Sequence, residues 1–402
     1  MFSDFDKSAM TRALELAARG LDTTDPNPRV GCVISHGERV IGEGWHERPG
    51  EAHAEVAALR SAREDPAGST VYVTLEPCSH FGRTPPCINA LISARVRRVV
   101  FAVQDPNPLV SGKGASALQA AGIAVDSGLM ETEAVELNVG FMKRMKQGRP
   151  WVRLKLAMSL DGRTALASGA SQWITGEAAR EDVQHWRARS SVVMIGAGTL
   201  AADDPRLDVR LPGENRRQPL RVVLDARLRT SASARLFSTG GKVLILTASD
   251  EEARPVTSAN VVPLDRTLPL ERTLPSPNGG NSRPALSRAE ARAQLAERGA
   301  RVENVPSRGN QLDLGAVLER LAAMDVNEVL LEAGAKLAGA FVRESLVDEM
   351  LLYMAPKLLG PQARPLVELP EIHSLDLARQ WVVHETVQLG DDLRIRLRPR
   401  RR

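Results

Sequence analysis

His53, Glu55, Cys78 and Cys87 are the residues whose types and spacing can do chemistry. His53-Ala54-Glu55 is followed, after a strand-length gap, by Pro77-Cys78 and then by Cys87. Two thiolates and one imidazole make the three-ligand set of a catalytic zinc, one ion per chain, with the fourth position left to water. Zinc brings the pKa of such a water to about 7, so hydroxide is present at neutral pH. Glu55 is not needed for coordination and is free to carry protons from the water to a ring nitrogen and a departing amine. Taken singly, a core histidine and two buried thiols would be the ordinary reading. A Pro-Cys directly after a strand, with an acidic residue beside the histidine, makes the combined set a metal site. Cys32, inside the apolar stretch 30–34, reads as a small core residue.

These side chains need a scaffold, and the periodicity supplies one. Met10, Ala13, Leu14 and Ala17 fall on one face of a helix over 6–19. Two short apolar stretches, 29–35 and 39–45, flank His36-Gly37-Glu38 as a hairpin. Strands are expected at 70–75, 96–103 and 123–126, with helices at 52–63, 87–94 and 113–121; such alternation indicates an α/β layer structure. A polar helix over 131–147 ends at Gly148-Arg149-Pro150, and a new strand opens at 151–157, so the domain boundary is placed between 147 and 148. Beyond it, strands are expected at 192–195, 220–224, 242–247, 328–332, 349–353 and 393–397, and helices at 177–189 and 312–323. Residues 268–284 shift to Pro, Gly, Asn, Ser and Thr, which marks a mobile surface insertion. No internal repeat is evident.

At 402 residues the chain exceeds what one hydrophobic core usually holds, which points to two domains. With 43% hydrophobic and 25% charged residues it is an ordinary globular composition. Three cysteines cannot build a disulfide framework, residues 1–8 carry no apolar run, and no stretch approaches the length of a membrane span, so a cytoplasmic protein is expected. The net charge of +4 owes much to Arg398, Arg400, Arg401 and Arg402, and 3% aromatic residues leave little for base stacking, which argues against a nucleic-acid partner.

The His-x-Glu and Pro-Cys pattern is the known signature of zinc deaminases, except that eight residues instead of two separate the cysteines. Cys78-Ser79-His80-Phe81-Gly82-Arg83-Thr84-Pro85-Pro86-Cys87, with Asn27-Pro28 and Val30-Gly31 upstream, resembles the bifunctional riboflavin-biosynthesis deaminase/reductase family, whose longer cysteine loop accounts for that departure. The resemblance spans nearly the whole chain. In the second half, 155–163, 171–175 and 198–207 carry it. It implies a cytidine-deaminase-like three-layer α/β/α domain over 1–147, followed by a dihydrofolate-reductase-like α/β domain over 148–402. It also implies a small phosphorylated pyrimidine substrate, NADPH as second cofactor and a homo-oligomer. The first domain would remove the 2-amino group of 2,5-diamino-6-(5-phosphoribosylamino)pyrimidin-4-one, and the second would reduce the ribosyl chain of the deaminated product to ribityl.

Carried over residue by residue, the resemblance gives His53, Cys78 and Cys87 to zinc, Glu55 to proton transfer, and Asn27 and His80 to the substrate. Ala157, Trp173, Thr199, Asp203 and the stretch Gly334, Ala335, Lys336, Leu337, Ala338, Gly339, Ala340 would line the cofactor. Ser171, Arg187, Leu207, Arg210 and Glu332 would face the phosphorylated substrate. The helix opening after Gly334 suits a pyrophosphate, and Arg187 and Arg210 suit a bidentate grip on phosphate. Glu332-Ala333-Gly334 departs from the Glu-Gly-Gly expected of the family, and no Gly-x-Gly-x-x-Gly fingerprint occurs. Two competing readings are a nucleic-acid deaminase, which shares the zinc site, and a second half that only holds subunits together.

Overall fold

The computed structural model describes residues 1–81, 85–108, 110–213, 217–249, 287–308 and 311–400. The expected insertion at 268–284 lies outside them.

The first half is a mixed sheet between two helical layers. In chain order come α1 (Asp4–Ala18), β1 (Gly31–His36), β2 (Arg39–Trp45), α2 (Ala54–Ser61), β3 (Thr70–Leu75), α3 (Cys87–Ser93), β4 (Arg98–Val103), α4 (Lys113–Ala120), β5 (Ala124–Ser127), α5 (Glu131–Leu137) and α6 (Val139–Gln147). The sheet order is β2-β1-β3-β4-β5, with β1 antiparallel to both neighbours and β3, β4 and β5 parallel. All six residues of β3 are buried, and its sequence Thr-Val-Tyr-Val-Thr-Leu accordingly carries no charged residue and is rich in β-branched side chains. Helices α2, α3 and α4 pack in one layer, and α1 meets α5 in the other. Gly42 and Gly44 of β2 let α2 lie directly on the strand. A Cβ at either would fall about 2.5 and 2.4 Å from the Ala58 backbone. That close approach fixes the helix whose start carries His53 and Glu55.

The polar segment 131–147, expected as one helix, is two. Asn138 leaves the helical region at φ −121° and spends its side chain elsewhere: its Oδ1 accepts from the Arg29 N–H at 2.8 Å, and its Nδ2 donates to the Arg29 carbonyl at 2.9 Å. A side chain that pairs with a remote backbone competes with helix continuity.

The second half continues with β6 (Trp151–Ser159), β7 (Arg163–Ala165), α7 (Glu177–Arg189), β8 (Val192–Gly196), α8 (Ala197–Asp203), β9 (Leu220–Leu224), β10 (Val243–Thr247), α9 (Arg288–Glu297), β11 (Ala300–Asn304), β12 (Ser307–Arg308), β13 (Gln311–Leu312), α10 (Leu314–Ala322), β14 (Glu328–Glu332), α11 (Ala335–Arg343), β15 (Glu349–Ala355), β16 (Arg364–Pro365), β17 (Trp381–Leu389) and β18 (Asp392–Pro399). Its main sheet runs β11-β10-β9-β8-β14-β6-β15-β18-β17, parallel as far as β15 and antiparallel at the β18-β17 edge. Separate apolar clusters fill its two faces.

Where the halves meet, charge is buried in quantity. Glu328 and Glu349 are fully buried, and Arg153, itself 1% exposed, bridges them at 2.7 Å to each. Arg29 from the first half and Arg189 also reach Glu328, while Arg396 and Arg398 reach Glu349. Burial alone would raise the Glu349 carboxyl, but Arg153 and Arg396 outweigh it and hold it at about 2. A carboxylate depressed on folding contributes stability above its unfolded pKa and loses it as pH falls towards the folded value. The melting temperature should therefore drop steeply between about pH 4.5 and about 2. Glu349→Gln should lower the unfolding free energy at neutral pH by about 3–5 kcal/mol, since Arg153 is left half-paired, and flatten the acid limb. Thermal melts across this range check it; an unchanged acid limb in the variant would refute it.

Candidate functional site

Three elements converge on the zinc candidates. His53 is the residue capping the start of α2, Cys78 lies in the loop leaving β3, and Cys87 is the first residue of α3. One nitrogen and two sulfurs lie within 4.8 Å of one another: His53 Nδ1 is 3.2 Å from Cys87 Sγ and 3.5 Å from Cys78 Sγ. Zinc bonds of about 2.0–2.3 Å at tetrahedral angles place ligand atoms about 3.3–3.8 Å apart, so this donor set fits the ion. The backbone N–H of Cys87 donates to Cys78 Sγ at 3.3 Å. A hydrogen bond from Cys87 lowers the Cys78 thiol to about 4, helped by His53, while sharing that proton pushes Cys87 up.

Glu55 sits in the first turn of α2, 3% exposed, and lines the same cavity of about 440 Å³. Burial, followed by the nearby Cys78, raises its carboxyl, the direction a proton carrier needs. Asn27 also lines the cavity. Its Nδ2 is 3.0 Å from His46 Nε2, and the other ring nitrogen of His46 is 3.1 Å from the Ala52 carbonyl. Nδ1 can only donate to that carbonyl, so Nε2 accepts from Asn27, and burial keeps the ring neutral by lowering its pKa. The His46 ring meets His53 edge-on at 5.3 Å. His80 is exposed at the rim.

The sequence reading missed several cavity residues. Asp-Pro-Asn-Pro occurs twice, at 25–28 and 105–108, and the structure brings both copies to this cavity through Pro26, Asn27, Pro28, Asp105 and Asn107. That repeated tetrapeptide was a signal available in the sequence. Burial lifts the Asp105 carboxyl to about 6, against the N–H donated by Asn107. Glu76, before Pro77-Cys78, accepts from the N–H groups of Asp105, Gly112 and Ala115, tying the second copy to the cysteine loop. Asp325, from the second half, lines the cavity as well, and no local pattern could have announced it.

In the second half the expected cofactor and substrate residues gather around β6, β8 and β14. Gly196 starts α8 and Gly334 starts α11, neither with a side-chain cap. The two turns touch: a Cβ on Gly196 would meet Leu337 at 3.1 Å, and one on Gly334 would meet Thr199 Oγ1 at 3.8 Å. Two uncapped helix starts face to face suit a diphosphate, so these residues fit a dinucleotide. Ser171 Oγ is 3.5 Å from Asp203 Oδ1, and Trp173 is exposed under the Arg180 guanidinium at 4.6 Å. Ala157 is half-buried on β6.

Three expectations need correcting. Ala338 is in the apolar core and Gly339 is pressed against Glu368, whose carbonyl oxygen would lie 1.9 Å from an added Cβ, so neither of these two is open to a cofactor, whereas Lys336 in the first turn is exposed. Leu207 is 1% exposed, with its side chain packed in the apolar core. Arg187 does not hold out a fork for phosphate: it grips Glu332 bidentately at 2.6 and 3.0 Å and donates to the Asp208 carbonyl. Arg210, about half-exposed and paired with Asp208, is the arginine of the two that solvent reaches. Lys155, quoted only as part of a motif, is the ionisable group the sequence reading overlooked. It shares a face of β6 with Ala157, and burial pushes its ammonium down against the pull of Glu332 and Asp203.

A family description, "Cytidine and deoxycytidylate deaminase zinc-binding region", matches residues 3–103, and "RibD C-terminal domain" matches 150–393. The chain is 44% identical to the riboflavin biosynthesis protein RibD of Escherichia coli over 98% of its own length and 99% of that protein. The chain belongs to the RibD family. RibD of Acinetobacter baumannii superposes with a TM-score of 0.83 at 42% identity, covering 99% of both chains. A Thermotoga maritima member described as a diaminohydroxyphosphoribosylaminopyrimidine deaminase/5-amino-6-(5-phosphoribosylamino)uracil reductase superposes at 0.78, with 30% identity over 98% of this chain and 99% of that one. As a RibD family member the chain is an enzyme of riboflavin biosynthesis, with a cytidine-deaminase-like zinc-binding half and a dihydrofolate-reductase-like half. Full-length agreement with such two-part relatives disfavours a nucleic-acid deaminase with an inert second half. No described helix is long and apolar enough to cross a membrane.

Proposed function

We propose that residues 1–147 hydrolyse the 2-amino group of 2,5-diamino-6-(5-phosphoribosylamino)pyrimidin-4-one, and that residues 148–402 reduce the ribosyl chain of the deaminated product with NADPH. The observation that carries the reading is the convergence of His53, Cys78 and Cys87, with His53, Cys78 and buried Glu55 lining one cavity. Zinc held by the first three would supply a nucleophilic water at neutral pH. Glu55 would carry one proton to the ring nitrogen and a second to the leaving amine, so that the two protons of water end on the ring and on ammonia. Asn27, anchored on neutral His46, orients the pyrimidine, and His80, Asp105 and Asn107 face it from the rim and the opposite wall.

In the second half the turns at Gly196 and Gly334 would hold NADPH, whose hydride would go to the anomeric carbon. Opening the ribose ring demands a proton at the departing ring oxygen, and Lys155, with its depressed pKa, is the donor we assign. Arg187 keeps Glu332 ionised and oriented, and Arg210 meets the phosphate. We place the enzyme in the cytoplasm, consistent with three free cysteines, and as a homo-oligomer, supported by the edge strand β17 with exposed Val382 and Val383. The direct test is to supply the diamino pyrimidine ribotide and follow ammonia release and NADPH oxidation together; absence of both refutes the assignment.

Thr199→Ala combined with Asp203→Ala should weaken NADPH binding about tenfold or more, because Thr199 lies beside the Gly334 turn and Asp203, at the far end of the same short helix, meets Ser171. Deamination should continue near the normal rate, so the deaminated ribosylamino pyrimidine accumulates. Normal NADPH oxidation on deaminated substrate by the folded double variant would remove these residues from the cofactor site.

A further inference from the structure

The wall of the deaminase cavity formed by residues 26–28 is held from the other half of the chain. Asp25 accepts from Ser191 Oγ at 2.6 Å, from Arg217 at 3.3 Å and from Asn327 Nδ2 at 3.3 Å. Asn327 Nδ2 also donates to the Pro26 carbonyl at 2.8 Å, and its Oδ1 accepts from Arg144 Nε at 2.7 Å. Arg144 lies on α6 and lines the cavity opposite, with its other end on Asp325 at 2.8 Å. One amide, 4% exposed at the foot of β14, therefore ties two walls of the deaminase cavity together. From Pro26 the chain of contacts runs through Asn27 to His46 and on to His53. Gly140 makes the approach possible: a Cβ there would lie 2.6 Å from the Asn327 carbonyl oxygen and 2.5 Å from Glu328 Cγ.

We propose that Asn327, although it belongs to the reductase half, is a positioning residue of the deaminase site, acting through the Pro26-Asn27 backbone to set the Asn27 amide against the substrate. The proposal rests on the reading of Asn27 as a substrate contact. An amide is suited to the task because it donates to one wall while accepting from the other. A hydrophobic side chain of the same size would leave the Pro26 carbonyl without its Asn327 donor and Arg144 Nε without its acceptor, with Arg144 held by Asp325 alone.

The test is a double-mutant cycle in the full-length, zinc-loaded enzyme, with KM and kcat of deamination measured separately from reduction of supplied deaminated substrate. Asn327→Ala should raise the deamination KM about tenfold and leave reduction within about twofold. Asn27→Ala should raise the same KM. The pair together should be little worse than Asn27→Ala alone, because the second change removes a support whose load is already gone. Losses that multiply in the double variant, or an unchanged KM in Asn327→Ala, overturn the proposal. If Asn27→Ala leaves KM unchanged, the substrate-contact reading fails, and a loss confined to Asn327→Ala then overturns the route through Asn27. Should Asn327→Ala not fold, Asn327→Ser, which keeps a short donor for the Pro26 carbonyl, enters the same cycle.

Discussion

Glu55→Gln should release ammonia about 10²–10⁴ times more slowly than the wild type while holding the same zinc. Glutamine preserves the volume and both polar positions of a side chain that is 3% exposed in the first turn of α2, so α2 and the ligand geometry at His53 should survive. What the amide cannot do is take a proton and return it. The fold cost is small for a second reason: burial already favours the uncharged carboxyl at this position, so an uncharged replacement loses little. Reduction of supplied deaminated substrate should be unchanged. Ammonia release within a few-fold of wild type, from protein with full zinc, would make Glu55 a structural residue and end the proton-carrier mechanism.

Cys87→Ser should lose most of its zinc and with it deamination. The serine hydroxyl keeps the size of the thiol at the start of α3 but is a poor partner for a borderline metal that needs a deprotonated donor. Metal analysis should find close to one zinc per chain in the wild type and a small fraction of that in the variant. A ligand that binds the folded state alone raises its stability, so chelation should lower the wild-type melting temperature and leave that of Cys87→Ser nearly where it was. Reduction should persist, because Cys87 and the β6-β8-β14 cleft lie in different halves of the chain. Full zinc retention would show that the ten-residue cysteine segment does not supply the third ligand.

Much of the scaffold was legible in the residue order. Strands 70–75, 220–224 and 328–332 and helix 177–189 occur with the expected bounds: the strands carry short apolar runs, and the helix places Ala179, Val183 and Trp186 on one face. Other elements left no such mark. β17 mixes apolar and polar residues with none of them buried, and α9 buries only Leu295, so neither shows a clean hydrophobic period; they take their form from strand pairing and from packing on β11.

The zinc set could be read from the sequence because its four residues lie within 35 positions and are chemically rare in that combination. Asp325 in the cavity wall, the Arg187–Glu332 pair and the hold of Asn327 on Pro26 could not. Their partners are separated by 145 positions in one case and 301 in another. Periodicity and motif spacing report what a residue does with its near neighbours along the chain. Which arginine is left for a phosphate, and which half of the molecule completes a cavity, depends on where two separately built sheets come to rest against each other, and only the packed structure decides that.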